Sequence, residues 1–220
     1  VVFGKGAEIA FVTPVENAGM PGKAAKGPRY PVRVEVFRGD WWKAAHIYRE
    51  WAVKQKWCAK GKLADRKDYP KRMAEVDLFL RPGGDPSSGS NLVSHARKAL
   101  PGLNLITHWY VWNVQPFDTH YPEYLPKKGA PEMFAWMNSI NAYSMPYING
   151  RLWDMSLASA RYAVEDACMR PDGKPWIENY ARAFAVMCPK AKRWQQALLH
   201  NFTNVVYGWG AGAVYCDQIS

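Results

Sequence analysis

The amino-acid sequence predicts an α/β fold in which strands and helices alternate, and three observations lead to this prediction. A strand–helix order repeats over residues 75–220. The strand-like runs are continuously apolar, which is typical of parallel strands covered on both faces. Of the 220 residues, 48% are hydrophobic, so the chain can bury a core and is not a disordered segment.

Four strand-like runs are separated by helical patterns after residue 75. The strands are predicted over residues 76–80, 103–112, 143–149 and 212–216. Apolar side chains recur at three- and four-residue spacing between these runs, which indicates helices that face a core. The helices are predicted over residues 91–100, 131–140 and 192–207.

Two architectures fit this order, a doubly wound sheet and a (β/α)8 TIM barrel. No Gly-x-Gly-x-x-Gly motif follows the first strand, so a dinucleotide site loses support and no cofactor is expected. Each strand instead ends in polar and aromatic residues before a long loop, as strands do at barrel active sites. A whole barrel needs roughly 250 residues, so residues 75–220 predict an incomplete barrel of about four βα units. Its unpaired outer strands would meet the remaining half of the same barrel.

The first 74 residues divide into two further segments. Strand-like runs at residues 7–12 and 32–37 predict that residues 1–40 are the C-terminal strands of a β-sandwich domain. Residues 41–74 are predicted to be a helical, basic connector whose helix is capped by Asp40. Eight Lys or Arg residues lie within 54–74. We favour a solvated connector over a nucleic-acid site, because no nucleic-acid-binding motif accompanies these charges.

Other features of the sequence limit which partners and bound groups are expected. No apolar run approaches the roughly 20 residues of a membrane-spanning helix, so no membrane partner is expected. The four cysteines show no metal-ligand spacing, and no metal site is predicted. Free thiols are favoured, although Cys168 and Cys188 could pair. The chain begins Val1-Val2-Phe3 without a targeting signal and ends directly after a strand-like run, so we expect a piece of a longer protein.

Polar and aromatic side chains cluster where the predicted strands end. The carboxyl ends of parallel barrel strands share one mouth, so these side chains would surround a single concave site. Aromatic rings stack on the apolar faces of sugars, and polar side chains bind the hydroxyls, so the pattern indicates a carbohydrate substrate. The candidate substrate-binding residues are His108, Trp109, Trp112, Asp118, Arg151, Trp153, Asp154 and Gln218.

Several of these residues also have a purely structural interpretation. Trp109 lies in the body of its strand and suits the core as well as a site, and His108 could be a hydrogen-bonded core histidine. Arg151 ends a buried strand, so its charge needs a partner. Asp154 and Asp118 could bind substrate hydroxyls, brace Arg151 or act as the proton donor.

An ordered set of motifs runs through nearly the whole chain. It comprises His108-Trp109-Tyr110 with Trp112, Phe117-Asp118, the stretches 121–126 and 146–154, Met187-Cys188-Pro189 and residues 214–219, preceded by Gly39-Asp40-Trp41-Trp42. This set resembles the uncharacterised glycoside-hydrolase-like TIM-barrel family DUF6259. The resemblance implies a glycosidase-type barrel preceded by an N-terminal β-sandwich, and it implies no particular sugar.

The resemblance also implies a role for Asp217. Retaining glycosidases set a nucleophilic carboxylate opposite a general acid, and in related barrels the nucleophile is an Asp at the tip of the fourth strand. Asp217 matches that position and is the candidate catalytic nucleophile; a capping or ion-paired Asp is the alternative. The acid/base is expected beyond Ser220, so the 220 residues alone are expected to be inactive.

Two functions therefore stay open for the full-length protein. The first is hydrolysis of O-glycosidic bonds, and the alternative is a non-catalytic carbohydrate-binding barrel. An extracellular or periplasmic location is favoured, because polymeric glycans are usually met outside the cytoplasm.

Overall fold

A computed structural model describes residues 15, 17, 22–27 and 30–218. The chain divides into two compact units, Val1–Gly61 with Met169–Lys174 and Lys62–Cys168 with Pro175–Ser220. The strand predicted over residues 7–12 lies outside the described residues.

The first unit contains helix α1 (Trp41–Ala52). The Asp40 carboxylate accepts the backbone N–H of Trp42 at 3.0 Å, which confirms the predicted N-cap. The predicted strand over residues 32–37 is wrong: the segment forms no strand, because none of the described residues pairs with it and an isolated strand is unstable in water. It lines a groove of about 830 Å³ along α1 instead. A β-sandwich over residues 1–40 stays a prediction.

The second unit contains all the strands that the structure describes. The helices are α2 (Lys71–Ala74), α3 (Pro86–Ala99), α4 (Ala130–Ser139), α5 (Ala160–Ala163) and α6 (Lys192–Thr203). The strands are β1 (Leu78–Leu80), β2 (Leu105–Trp109), β3 (Ala142–Asn149), β4 (Leu152–Asp154), β5 (Ile177–Asn179), β6 (Ala183–Val186) and β7 (Tyr215–Asp217). Short 3-10 turns at Lys56–Cys58, Leu63–Asp65 and Val164–Asp166, and a π-helical turn at Asn204–Gly208, complete the described elements.

Four strands form one parallel sheet in the order β1-β2-β3-β7. The sheet curls into a half-barrel, so the parallel α/β prediction is confirmed and each of its four strands lies where a strand was predicted. Strand β2 is buried at four of its five positions, as expected for a strand covered on both faces. Val93 of α3 and Phe134 and Met137 of α4 pack in the same core cluster as Leu105.

A second, antiparallel sheet fills the long connection between β3 and α6. Its order is β4-β6-β5, and the sequence analysis did not predict it. Trp153 of β4 and Ala185 of β6 are buried together with Trp194 of α6. This sheet places the ends of the β3–β4 turn in fixed positions, since β4 begins three residues after β3 ends.

Three further features complete the described part of the chain. None of the helices in the described ranges is long and apolar enough to cross a membrane. Cys58, Cys168, Cys188 and Cys216 are all free thiols. Within the same ranges, no three His, Cys, Asp or Glu side chains are grouped so that they could hold a metal ion.

Candidate active site

A pocket of about 500 Å³ lies at the carboxyl ends of the four parallel strands. Its volume falls within the usual range for small-molecule sites. The residues that line it are Arg81, Tyr110, Val111, Phe117, Asp118, Tyr147, Tyr180, Asp217 and Gln218. Of the residues that the sequence analysis selected, Asp118, Asp217 and Gln218 line this pocket, and their contact with a substrate stays a prediction.

Asp217 is the last residue of β7 and is held from both its backbone and its side chain. Its carbonyl oxygen accepts the N–H of Gly150 at 2.7 Å, and its Oδ1 accepts the hydroxyl of Tyr215 at 3.1 Å. This hydrogen bond raises the pKa of Tyr215, so the phenol keeps the proton that it donates. No described residue donates a hydrogen bond to Oδ2, and one carboxylate oxygen thus stays available to a ligand.

The residues that line the pocket follow one another in the order of the strands. Arg81 follows β1, Tyr110 follows β2, Tyr147 lies on β3 and Asp217 ends β7. The guanidinium of Arg81 lies over the Tyr110 ring at 4.7 Å, and the Tyr110 and Tyr147 rings stack with centroids 5.1 Å apart. A cation, an aromatic floor and a carboxylate therefore follow one another across the sheet.

The pKa values of Tyr147 and His108 depend on burial and on the charges around the pocket. Burial raises the pKa of Tyr147, and the Asp217 charge raises it further. Burial lowers the pKa of His108, the Arg81 charge lowers it further, and the Asp217 charge opposes both. These charges and burial together favour the neutral form of the imidazole. Its ring contacts Tyr215 at 3.9 Å between centroids, and its Nε2 is buried without a hydrogen-bond partner.

His108 does not line the pocket. Its ring contacts those of Tyr110 and Tyr215, one of which lines the pocket while the other holds Asp217. A direct contact of His108 with substrate stays a prediction, and its observed position is that of a support for these two rings.

Asp118 and Gln218 each have one fixed oxygen. Asp118 Oδ1 accepts the hydroxyl of Tyr121 at 3.2 Å, and Gln218 Oε1 accepts the side-chain amide of Asn149 at 3.1 Å. The buried Asn149 also donates to the Tyr147 hydroxyl at 3.1 Å. Asn149, which the sequence analysis did not select, thereby links the ends of β3 and β7.

Three tryptophans predicted to contact substrate lie in the protein interior instead. Trp109 and Trp112 are fully buried; Trp109 packs edge-on against Phe134, and the Trp112 indole N–H donates to the carbonyl of Tyr147 at 2.8 Å. Trp153 packs against Trp194 with centroids 5.9 Å apart. Since no indole face is open to solvent, the predicted role of these three rings in sugar stacking is wrong.

Arg151 and Asp154 also have structural partners. Arg151 forms an ion pair with Glu178 at 2.7 Å, so the proposed bracing of Arg151 by Asp154 or Asp118 is wrong. The fully buried Asp154 accepts the backbone N–H of His120 at 2.7 Å and both the N–H and the hydroxyl of Ser156 at 2.8 and 2.7 Å.

These hydrogen bonds fix the ionisation of Asp154. Burial by itself would raise the pKa of this carboxyl, but the hydrogen bonds from Ser156 and His120 outweigh burial and the pKa is lowered. A carboxyl group that holds its charge so firmly is a poor proton donor. Asp154 anchors the loop that carries Asp118 and does not reach the pocket.

The pocket rings were missed by sequence reasoning although a signal for them exists. Side chains two residues apart point to the same face of a strand, so Tyr110 shares a face with His108 while Trp109 points the other way. Tyr147 lies two residues before Asn149 and follows the same rule. Phe117 and Tyr180 come from loops, and no periodicity could have found them.

The fold is a curled, parallel α/β half-barrel whose strand ends share one pocket. The model of the family described as "Domain of unknown function (DUF6259)" matches residues 27–220, and the chain belongs to this family. The predicted resemblance is confirmed.

Two curated relatives agree with this assignment. The chain is 28% identical to "Putative glycoside hydrolase 22789" of Monosiga brevicollis, over 97% of this chain and 21% of the relative. It is 31% identical to a "Putative glycoside hydrolase" of Bacteroides thetaiotaomicron, over 80% of this chain and 26% of the relative. The chain thus spans about a fifth to a quarter of the length of these two proteins.

Solved structures support the fold. The alpha-N-acetylgalactosaminidase NagBb of Bifidobacterium bifidum, as a quadruple mutant, superposes with a TM-score of 0.60 at 14% identity, over 79% of this chain and 33% of that chain. The alpha-galactosidase TtGalA of Thermus thermophilus superposes with a TM-score of 0.50 at 7% identity, over 64% of this chain and 30% of that one.

Proposed function

We propose that the full-length protein hydrolyses O-glycosidic bonds of a carbohydrate and that Asp217 is its nucleophile. The observation that carries this proposal is the position of Asp217, at the end of the fourth parallel strand in a pocket with an aromatic floor. The family membership and the names of the curated relatives support the same reaction class.

The hydrogen bond from Tyr215 distinguishes the two oxygens of the Asp217 carboxylate. Oδ1 is engaged, so Oδ2 attacks the anomeric carbon, and a glycosyl–aspartate ester forms as the bond from the anomeric carbon to the leaving oxygen breaks. An acid donates a proton to that oxygen. Water then attacks the anomeric carbon of this ester, and the Asp217 carboxylate is released. The group that acted as the acid now acts as the base and takes a proton from the attacking water.

The other pocket residues suit sugar binding. The exposed rings of Phe117 and Tyr180 offer an apolar surface to the C–H face of a pyranose, whereas Tyr147 is 2% exposed and packs against the half-buried Tyr110. Gln218 retains its amide N–H groups for a hydroxyl, because only its Oε1 is engaged. Asp118 retains Oδ2 as an acceptor. Asp154 does not qualify as the acid, and we propose that the acid/base lies outside these 220 residues, since the chain spans 21% and 26% of its two curated relatives.

Replacement of Asp217 in the full-length protein tests the proposal. With a panel of aryl glycosides of both anomeric configurations, Asp217→Asn should lower kcat by about 10³-fold or more, because the covalent step is lost. Asp217→Ala with added azide should yield a glycosyl azide, since the small anion fits the vacated position. The exposed Asp85, which pairs with Lys127 at 3.4 Å, gives the matched control Asp85→Asn. Undiminished turnover in Asp217→Asn would refute the assignment.

A non-catalytic carbohydrate-binding barrel is the second candidate. One observation favours it: the two carboxylates among the described pocket residues, Asp118 and Asp217, each accept one tyrosine hydroxyl, and this shared geometry marks neither as a proton donor. Sugar binding by the wild-type protein without turnover of any glycoside in the panel would support this alternative over the hydrolase.

A further inference from the structure

Arg81 is a cation in the pocket without an acidic partner. Its side chain is exposed and lines the pocket, and no carboxylate of a described residue lies within ion-pair distance of it. Two other arginines of the second unit do form ion pairs, Arg151 with Glu178 at 2.7 Å and Arg193 with Asp166 at 3.1 Å. An unpaired guanidinium in a concave site is available to a ligand.

The guanidinium is held in a defined orientation. It lies over the ring of Tyr110 at 4.7 Å, and stacking on an aromatic face leaves the N–H groups at the edge of the guanidinium free to donate. These N–H groups form a planar fork that matches the two oxygens of a carboxylate or a sulfate. Because stacking already orders the Arg81 side chain, this side chain loses less conformational entropy when a ligand binds.

The strand order separates Arg81 from the carboxylate of Asp217. Arg81 follows β1 and Asp217 ends β7, at opposite ends of the four-stranded sheet. Three strand spacings of about 4.8 Å would separate them by about 14 Å on a flat sheet, and by less where the sheet curls. His108 on β2 senses both charges, because Arg81 lowers its pKa and Asp217 raises it. Among the described residues, Arg81 forms no ion pair with Asp217, so it is not a direct counter-ion of the candidate nucleophile.

We propose that Arg81 binds an anionic substituent of the glycan, a uronate carboxylate or a sulfate ester, while the scissile bond lies at Asp217. This inference rests on the proposed function and adds the substrate class. Asp118 and Asp217 repel a negative group near them, so the orientation with the anion at the β1 end is the favourable one. A neutral glycan could use the aromatic floor equally well but would leave the guanidinium without an ionic partner.

Binding measurements on the full-length protein test the inference. The probes are S-linked aryl glycosides, which resist hydrolysis, in matched sets: glucoside with glucuronide and glucoside 6-sulfate, and galactoside with galacturonide and galactoside 6-sulfate. In titration calorimetry at low salt, at least one anionic member should bind about 10-fold or more tightly than its neutral counterpart. The carboxylate and sulfate members show which of the two anions is preferred.

Variants at Arg81 identify the residue responsible. Arg81→Gln should abolish the anionic preference, that is, the difference in affinity between the anionic and neutral members of each set. Arg81→Lys should retain part of this preference because the charge remains without the planar fork. Arg193→Gln, which removes a cation outside the pocket, should leave the preference intact. Equal affinity for neutral and anionic members, or a preference that survives Arg81→Gln, would overturn the inference.

These outcomes are separable from those of the proposed function. A preference that depends on Arg81, together with full activity of Asp217→Asn, retains the anion site and rejects the nucleophile. Loss of activity in Asp217→Asn without any anionic preference retains the nucleophile and rejects the anion site.

Discussion

The pocket at the end of the parallel sheet and the interior behind it contain the same kinds of side chain in different surroundings. Asp217 and Tyr110 line the pocket, whereas Asp154 and Trp112 are fully buried. Asp217 accepts one side-chain hydrogen bond, but Asp154 accepts three. A carboxylate whose oxygens are fully engaged stabilises the fold, and one with a free oxygen can act on a ligand.

The largest effect expected from this contrast concerns the two aromatic positions. Trp112→Ala should lower the free energy of unfolding by about 3–5 kcal/mol, because it empties a buried site and removes the hydrogen bond to the Tyr147 carbonyl. Tyr110→Ala should cost much less stability but weaken sugar binding. Chemical denaturation and calorimetric titration of both variants check this, and equal loss of stability would contradict the distinction.

Asp154→Asn should lower the free energy of unfolding by roughly 2 kcal/mol at pH 7, because a charged acceptor of hydrogen bonds is lost. The pKa of Asp154 is lowered from its usual 3.8 in the folded protein. Its contribution is therefore fully present above about pH 4 and is lost as the pH falls through the lowered folded pKa.

Denaturation curves of the wild-type protein and Asp154→Asn at pH 7 and below pH 3 measure this linkage. The difference in stability between the two proteins should shrink as the pH falls. A difference that stays constant with pH would show that the charge of Asp154 does not stabilise the fold.

Tyr215→Phe should lower kcat about 10-fold, which corresponds to about 1.4 kcal/mol, and should leave KM nearly unchanged. The phenol orients the Asp217 carboxylate and makes no proposed contact with the sugar. Tyr143→Phe, which removes a hydroxyl that lies outside the pocket and donates to Asn141 at 3.4 Å, is the matched control. A change confined to KM would assign Tyr215 to substrate binding instead.

The smallest effect is a pair of opposite shifts in the pKa of His108. Burial is the main cause of its lowered pKa, with the Arg81 charge second and the Asp217 charge opposing them. Arg81→Gln should therefore raise the pKa of His108, and Asp217→Asn should lower it further. NMR titration of the imidazole resonances measures both, and shifts of the same sign would contradict the influence of these two opposite charges on His108.

The sequence predicted the parallel sheet well because its signals are local. Leu105, Ile106 and the helical faces at Val93 and Phe134 are apolar at the spacing that burial on a sheet requires. The same logic placed Asp217, Asp118 and Gln218 at one mouth, because the ends of parallel strands converge.

The sequence did not predict the antiparallel sheet, because β4 and β5 are three residues long and β6 is four. Runs this short contain too few alternations to establish a period. The sequence also did not predict the orientation of Trp112 or the partners of Asp154, because both depend on tertiary neighbours such as Tyr147 and His120. The residue types at those positions suggested contact with a substrate, but the packing of neighbouring side chains determines whether a side chain is exposed or buried.

Cys216, a free thiol between Tyr215 and the candidate nucleophile, gives this site a chemical reporter. Burial raises its pKa, and the neighbouring Asp217 charge raises it further, to about 11. At pH 7 only about one thiol in ten thousand is then ionised, so alkylating reagents should leave Cys216 intact while the carboxylate beside it is charged. Esterification of Asp217 by a trapped sugar would remove that charge, and faster alkylation of Cys216 in the surrounding peptide would mark the event in a mass spectrum.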